Sequence, residues 1–371
     1  MSQIKGRSLS VDVMRGITLA LMIVVNMSID EKKSYGQLLH AVWHGLTLTD
    51  IVFPTFLFVM GASMSLSLRK FQSLGRVALG RKILQRTCLI FACGYLLSWF
   101  PFFEWNAAHQ LQVIPFEKHR ILGVLQRLAL TYGLAALLVQ FLKERGILVF
   151  CLVALCVNAF VSATFGDYTL QGNAALRLDV WLLGEAHLYK GEGIPFDPEG
   201  LLGTLPALVN VLAGFLMVKS FTETTQLRSW LLKVTALGLL IVALGFLMSQ
   251  WIPLNKKLWT DAYVLVTIGL DLLVLSGLIA LLDVKGIRSW TYFFEVFGKN
   301  TLAIYLMAEV GMSLMLICTW GDLSVFDWLY GKLFQIWAGD RNGSLLFALA
   351  YMLLCWGIGY VLDRKKIYIK I

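Results

Sequence analysis

The chain has 371 residues, 58% of them hydrophobic and 15% charged, with a mean hydropathy of +0.72. A soluble domain is about 45–50% apolar and about 25% charged, so this composition excludes an ordinary soluble domain. The formal charge of +9 lies in short connections between apolar runs, where it serves membrane topology and not nucleic-acid binding.

Apolar runs near the ~20 residues that cross a ~30 Å hydrocarbon core recur at 11–27, 50–68, 83–103, 121–142, 147–165, 201–219, 231–252, 261–283, 298–317 and 344–362. They are apolar nearly all round, as a lipid-exposed helix must be. The first run follows Lys5 and Arg7, but Asp12 and Arg15 interrupt it and no small-residue cleavage site precedes Asn26, so an uncleaved first helix is expected. In the second, Phe53-Pro54 predicts a bent or unwound start, and Gly61-Ala62-Ser63 suits close helix packing within or between protomers, a homodimer included. A connection carrying Arg69, Lys70, Arg76, Arg81 and Lys82 leads to the third run, which holds Arg86; the fourth holds Gln126 and Arg127. The long 166–200 connection has an acidic excess. Asp271, Lys299 with Asn300, and Glu309 mark the later runs.

Alternate connections carry 18 and 10 Lys and Arg residues, which places both termini in the cytoplasm and favours an even number of spans. The expectation is an all-α polytopic helical bundle of about ten transmembrane helices, a single domain over 1–371 embedded in the lipid bilayer. Its six cysteines lie in or beside apolar runs and behave as small buried apolar residues. Ionisable groups inside spans are expensive and point to function, so the bundle is expected to enclose a polar site or path. His40, His44, His109, His119 and His187 all fall on the expected non-cytoplasmic side. No two of them share one predicted helix, so no metal site is expected. An imidazole is the natural base near neutral pH, and His40, with Asp50 and Asn26 near the same membrane face, is the candidate.

The segments SVDVMRGITLALMIVVN (10–26), HAVWHGLTLTDIVFPTFLFVMGAS (40–63), RILGVLQRLAL (120–130), FDPEGLLGTLPA (196–207), WIPLNKKLWTDAYVL (251–265) and FGKNTLAIY (297–305) run nearly end to end. On these the chain resembles the heparan-α-glucosaminide N-acetyltransferases and their bacterial NagX-type relatives. The resemblance implies a multi-pass protein of the bacterial inner membrane that moves the acetyl group of cytosolic acetyl-CoA to an amino sugar of the glucosamine type on the periplasmic side. It implies His40 as the catalytic histidine and Asn26 as its support; the mechanism expected from the residues themselves has His40 as general base with Asp50 orienting its ring. The position after Trp43, asparagine in relatives, is His44 here. Asp12, Trp43 and His44 are expected to contact the acceptor. Arg69, Arg86, Arg127, Lys299 and Asn300 are expected to hold the coenzyme A, because guanidinium and ammonium groups are the usual phosphate partners. The alternative is an amino-sugar transporter, proton-coupled through Asp12, Asp271 or Glu309. Such folds often show paired broken helices in two related halves, and no matching halves are seen.

Overall fold

The computed structural model describes residues 8–70, 75–105 and 110–369, without the side chains of Arg69, Lys70, Trp105 and Lys118. Lys5, Arg7, His109 and Lys370 therefore lie outside the described residues. The helices are α1 (Leu9–Asn26), α2 (Leu48–Lys70), α3 (Arg76–Trp99), α4 (Val124–Phe141), α5 (Glu144–Phe165), α6 (Ala174–Leu183) and α7 (Leu201–Glu223). They continue with α8 (Leu227–Met248), α9 (Asp261–Ile279), α10 (Thr291–Lys299), α11 (Thr301–Ile317), α12 (Val325–Leu329), α13 (Ile336–Ala338) and α14 (Asp340–Arg364). Two small antiparallel hairpins, Phe103–Trp105 with Leu111–Val113 and Thr319–Trp320 with Leu323–Ser324, decorate the connections.

The chain is an all-α polytopic membrane protein. Among the described residues eight helices are long and apolar enough to span, and the α10–α11 pair, bent by 82°, makes a ninth. The remaining expected span is α3, whose 24 residues suffice in length but whose first half carries Arg76, Arg81, Lys82 and Arg86. The central helices are α1, α2 and α7, about two-thirds or more buried within the protein. The peripheral ones are α5 and α8, 22% and 17% buried, whose exposed leucines and valines form the expected lipid face.

Helix α2 packs closely along α7. A Cβ on Gly61 would come within 1.8 Å of the Val211 carbonyl oxygen, and one on Gly214 within 1.9 Å of the Phe58 oxygen. The backbones meet because both positions lack a side chain, so Gly61 and the buried Ala62 serve packing inside the chain. The break between α10 and α11 lies at Asn300, where the expected ninth span was drawn as continuous. The preceding α10 folds back against α1, and Arg15 of α1 donates to the Gly298 carbonyl at 2.9 Å.

Candidate functional site

The site begins with a proline. Pro54 lies inside α2 and has no N–H, so it cannot serve the carbonyl of Asp50 four residues before it. The hydroxyl of the buried Tyr263, in the first turn of α9, donates to that carbonyl at 2.6 Å. The start of α2 is thereby fixed to the start of α9.

The side chain of Asp50 is buried and organises the turn before it. Its Oδ2 accepts from the backbone N–H of Ala41 at 3.1 Å and of Thr47 at 3.0 Å, and its Oδ1 lies 2.7 Å from His40 Nδ1. The Thr47 hydroxyl is shared between Oδ2, at 3.0 Å, and the Leu39 carbonyl, at 2.7 Å. An ionised carboxylate only accepts hydrogen bonds. A neutral His40 on this acceptor donates through Nδ1–H and keeps the Nε2 lone pair, the tautomer a general base requires. The imidazole is 45% exposed at its side chain.

The connection between α8 and α9 lies against this turn. Leu254 accepts the N–H of Gly45 at 2.8 Å, Lys257 donates to the Val42 carbonyl at 2.9 Å, and Asn255 Nδ2 lies 3.3 Å from His44 Nδ1. Burial lowers the pKa of His44, which favours the neutral ring. Lys256 Nζ lies 3.3 Å from His40 Nε2. Trp43 donates through its indole N–H to the Tyr168 carbonyl at 2.8 Å and packs on Phe196.

A charged layer completes this end of the bundle. Arg120 forks onto Asp197, at 2.8 and 2.7 Å, and reaches Glu199 at 2.6 Å; both carboxylates are buried. Their charge holds the guanidinium pKa above its ordinary range despite burial, and the positive charges of Arg120, Lys256 and Arg127 in turn hold Glu199 below the usual carboxylate range against its burial. Arg127 is wholly buried, lies over the Trp259 ring and donates to the Gly200 carbonyl at 2.9 Å. Its Nε and Nη1 find no hydrogen-bond partner among the described residues. Buried donors are nearly always satisfied, so such a pair is suited to a ligand's oxygens. Asp179 caps the start of α7 by accepting from Leu201 N–H at 3.0 Å.

Burial pushes the Asp179 carboxyl up to about 6, against the Leu201 N–H, which favours its charge. The folded chain then keeps a proton that the unfolded chain releases near pH ~4. Stability contributed here falls as pH rises from about 4 to about 6 and is gone above. Asp179→Asn lacks this titration, so its thermal midpoint in detergent is expected to rise relative to wild type across that window. Parallel profiles would contradict the assignment.

The other expected site residues are dispersed. Asn26, at the end of α1, donates to Glu309 of α11 at 2.7 Å instead of to His40, and Glu309 also binds the Tyr305 hydroxyl. Asp12 lies 14 residues, about 21 Å of helix, from Asn26 along α1, paired with Arg15 at 3.3 Å. It is therefore far from the His40 turn. Lys299 is held by Asp363 at 2.9 Å, and Asn300 bonds Ile367 O and Ile369 N, each at 2.9 Å, so these two pin the C-terminal segment to the α10–α11 break. Arg86 lies 4.7 Å from the Tyr132 ring between α3 and α4. Arg69 is at the end of α2 opposite Asp50, with its side chain outside the described residues. Of the five expected coenzyme residues, the structure brings Arg127 to the His40 end. Lys256, Arg120, Asp197, Glu199 and Tyr263 belong to the same end and were counted in the sequence only as loop charges or motif letters. Among the described residues no group of His, Cys, Asp and Glu is arranged to hold a metal ion.

Residues 7–177 match the family model described as heparan-alpha-glucosaminide N-acetyltransferase, catalytic. The human heparan-alpha-glucosaminide N-acetyltransferase is 30% identical across 100% of this chain and 61% of its own length. The mouse protein of the same name is 29% identical across 81% of this chain and 53% of its own length. The chain thus spans between about half and three-fifths of the length of these curated relatives.

Proposed function

The chain belongs to the heparan-alpha-glucosaminide N-acetyltransferase family, and on that premise we propose that it is a transmembrane acetyltransferase carrying the acetyl group of acetyl-CoA to an amino sugar. The supporting observation is the His40 turn, a half-exposed imidazole whose Nδ1 is committed to a buried carboxylate and whose Nε2 meets the Lys256 amine. The names of the relatives favour a transferase over an amino-sugar transporter. His40 and Arg69 lie toward opposite ends of α2, separated along the helix by 19 residues from Asp50 to Arg69, about 28 Å. That separation suits a donor nucleotide at the basic cytoplasmic end and a long pantetheine arm delivering its thioester to the periplasmic face of a bacterial inner membrane. Arg86 and Arg127 would lie along its path, with the unpartnered Nε and Nη1 of Arg127 meeting carbonyl oxygens near the reacting end.

In the proposed step His40 Nε2 removes a proton from the acceptor ammonium and releases it to solvent. The freed amine attacks the thioester carbonyl, the C–N bond forms as the C–S bond breaks, and the second proton lost from nitrogen passes through His40 to the departing thiolate. Asp50 fixes the tautomer and stabilises the imidazolium. Trp43 and His44 stand beside His40 for acceptor contact, and Asn26 with Glu309 offers a further polar contact. The protein acts as one domain, alone or as a homodimer. The test is transfer of labelled acetyl from acetyl-CoA to glucosamine by purified protein; specific glucosamine binding without transfer would return the transporter.

Asp50→Asn places an amide where His40 needs an acceptor and disturbs the tautomer. The expected loss in kcat is about 10²-fold, the lower end of general-base contributions, with acetyl-CoA binding retained. Unchanged kcat would remove Asp50 from the machinery.

A further inference from the structure

Resting on the transferase activity proposed above, we propose that Lys256 occupies the acceptor-amine position of the resting site, and that acetyl-CoA supplied without an acceptor acetylates the Lys256 Nζ. A general base must meet the nitrogen it deprotonates at hydrogen-bond distance. The Nε2 of His40 already meets one, since Lys256 Nζ lies 3.3 Å away although the residues are 216 apart in sequence. With Nδ1–H committed to Asp50, a neutral His40 presents the Nε2 lone pair, and the lysine donates to it. A primary ammonium on the lone pair of the base is the arrangement an amino sugar must itself adopt.

The surroundings suit this role. The connection bearing Lys256 is rigid: Asn255 Oδ1 accepts from Leu258 N–H at 2.8 Å, the Thr260 hydroxyl donates to the Pro253 carbonyl at 2.7 Å, and the Lys256 carbonyl accepts from Trp259 N–H at 3.1 Å. The neighbouring Lys257 is ion-paired to Glu192 at 2.6 Å. Glu199 and Asp50 attract the Lys256 ammonium, Arg127 and Lys257 repel it, and burial, the largest influence, favours the neutral amine. The backbone is thus fixed while the long side chain can withdraw when an acceptor arrives.

The step follows the sugar reaction. His40 takes one proton from the ammonium and releases it to solvent. The amine attacks the thioester carbonyl, C–S breaks as C–N forms, and the second proton reaches the leaving thiolate through His40. The product is an amide at Lys256 that mimics the acetylated sugar and blocks Nε2.

The experiment incubates the purified full chain with acetyl-CoA alone and maps acetylated peptides by mass spectrometry. Glucosamine transfer is measured on the same preparation. Expected is acetyl on Lys256, stable to neutral hydroxylamine, formed about 10²-fold faster than on the exposed Lys32 and Lys365, and suppressed by glucosamine. His40→Ala and His40→Gln are each expected to slow it about 10²-fold, the loss of general-base assistance. Glucosamine transfer with Lys256 unmodified, or acetylation indifferent to His40, overturns the inference and leaves the transferase standing. Acetyl-Lys256 without sugar transfer supports the lysine's position and refutes the sugar as acceptor; neither product refutes both.

Discussion

His40→Ala is expected to lower acetyl transfer to glucosamine by about 10³–10⁴-fold, toward the upper end of what a positioned base contributes, or roughly 4–5 kcal/mol of barrier. The loss should appear in kcat with acetyl-CoA affinity preserved, because in the proposed step the imidazole meets the acceptor nitrogen and not the nucleotide. Initial rates at saturating acetyl-CoA read it directly. The substitution also removes one hydrogen bond from buried Asp50, which costs about 1–3 kcal/mol of stability. His40→Gln, which can keep a donor near Asp50 but has no base, separates the two effects and should be as inactive as His40→Ala. Activity within tenfold of wild type in both variants would move the base elsewhere. Isolation of acetyl-His40 at a competent rate in the absence of acceptor would replace direct transfer by a two-step path.

The second large effect concerns stability. Arg120 neutralises Asp197, 1% exposed, and Glu199, 6% exposed. Removing one member of a buried ion cluster leaves uncompensated charge, at a cost of about 3–5 kcal/mol. Arg120→Ala is expected to lose that much, and Arg120→Lys, which keeps the charge but not the planar fork, to lose less. The pH dependence has a definite sign. Glu199 is held below the ordinary range, so its contribution is present above about pH 4.3, the unfolded value, and is lost as pH falls through the lowered folded value. The wild-type advantage in thermal midpoint should therefore shrink in acid. An advantage that is small at neutral pH, or independent of pH, would show that water or rearrangement replaces the guanidinium.

The transmembrane architecture was legible because lipid-facing helices must be apolar all round. The expected span 261–283 lies on helix Asp261 to Val284, and 50–68 lies within Leu48–Lys70. The break at Asn300 was not, since FGKN is too short an interruption to divide an apolar run. Lys299 and Asn300 drew attention as polar groups inside a span, yet their partners Asp363, Ile367 and Ile369 lie more than 60 residues on. The His40–Asp50 pair was readable because both residues sit in one turn. Lys256 and Asn26 acquire their partners across 216 and 283 residues, and such pairings leave no periodicity in the chain. Tyr263 was hidden for a related reason: the orphan carbonyl it serves could be deduced from Pro54, but not the donor that reaches it.

The most direct measurement of the central claim is a sided one. Purified protein is reconstituted into proteoliposomes with labelled acetyl-CoA on the face bearing the basic Arg76–Lys82 end of α3 and glucosamine on the other. The expected result is labelled N-acetylglucosamine on the glucosamine side only, absent with His40→Ala, while coenzyme A stays where it was added. Unmodified glucosamine crossing the membrane without acetyl transfer would contradict it.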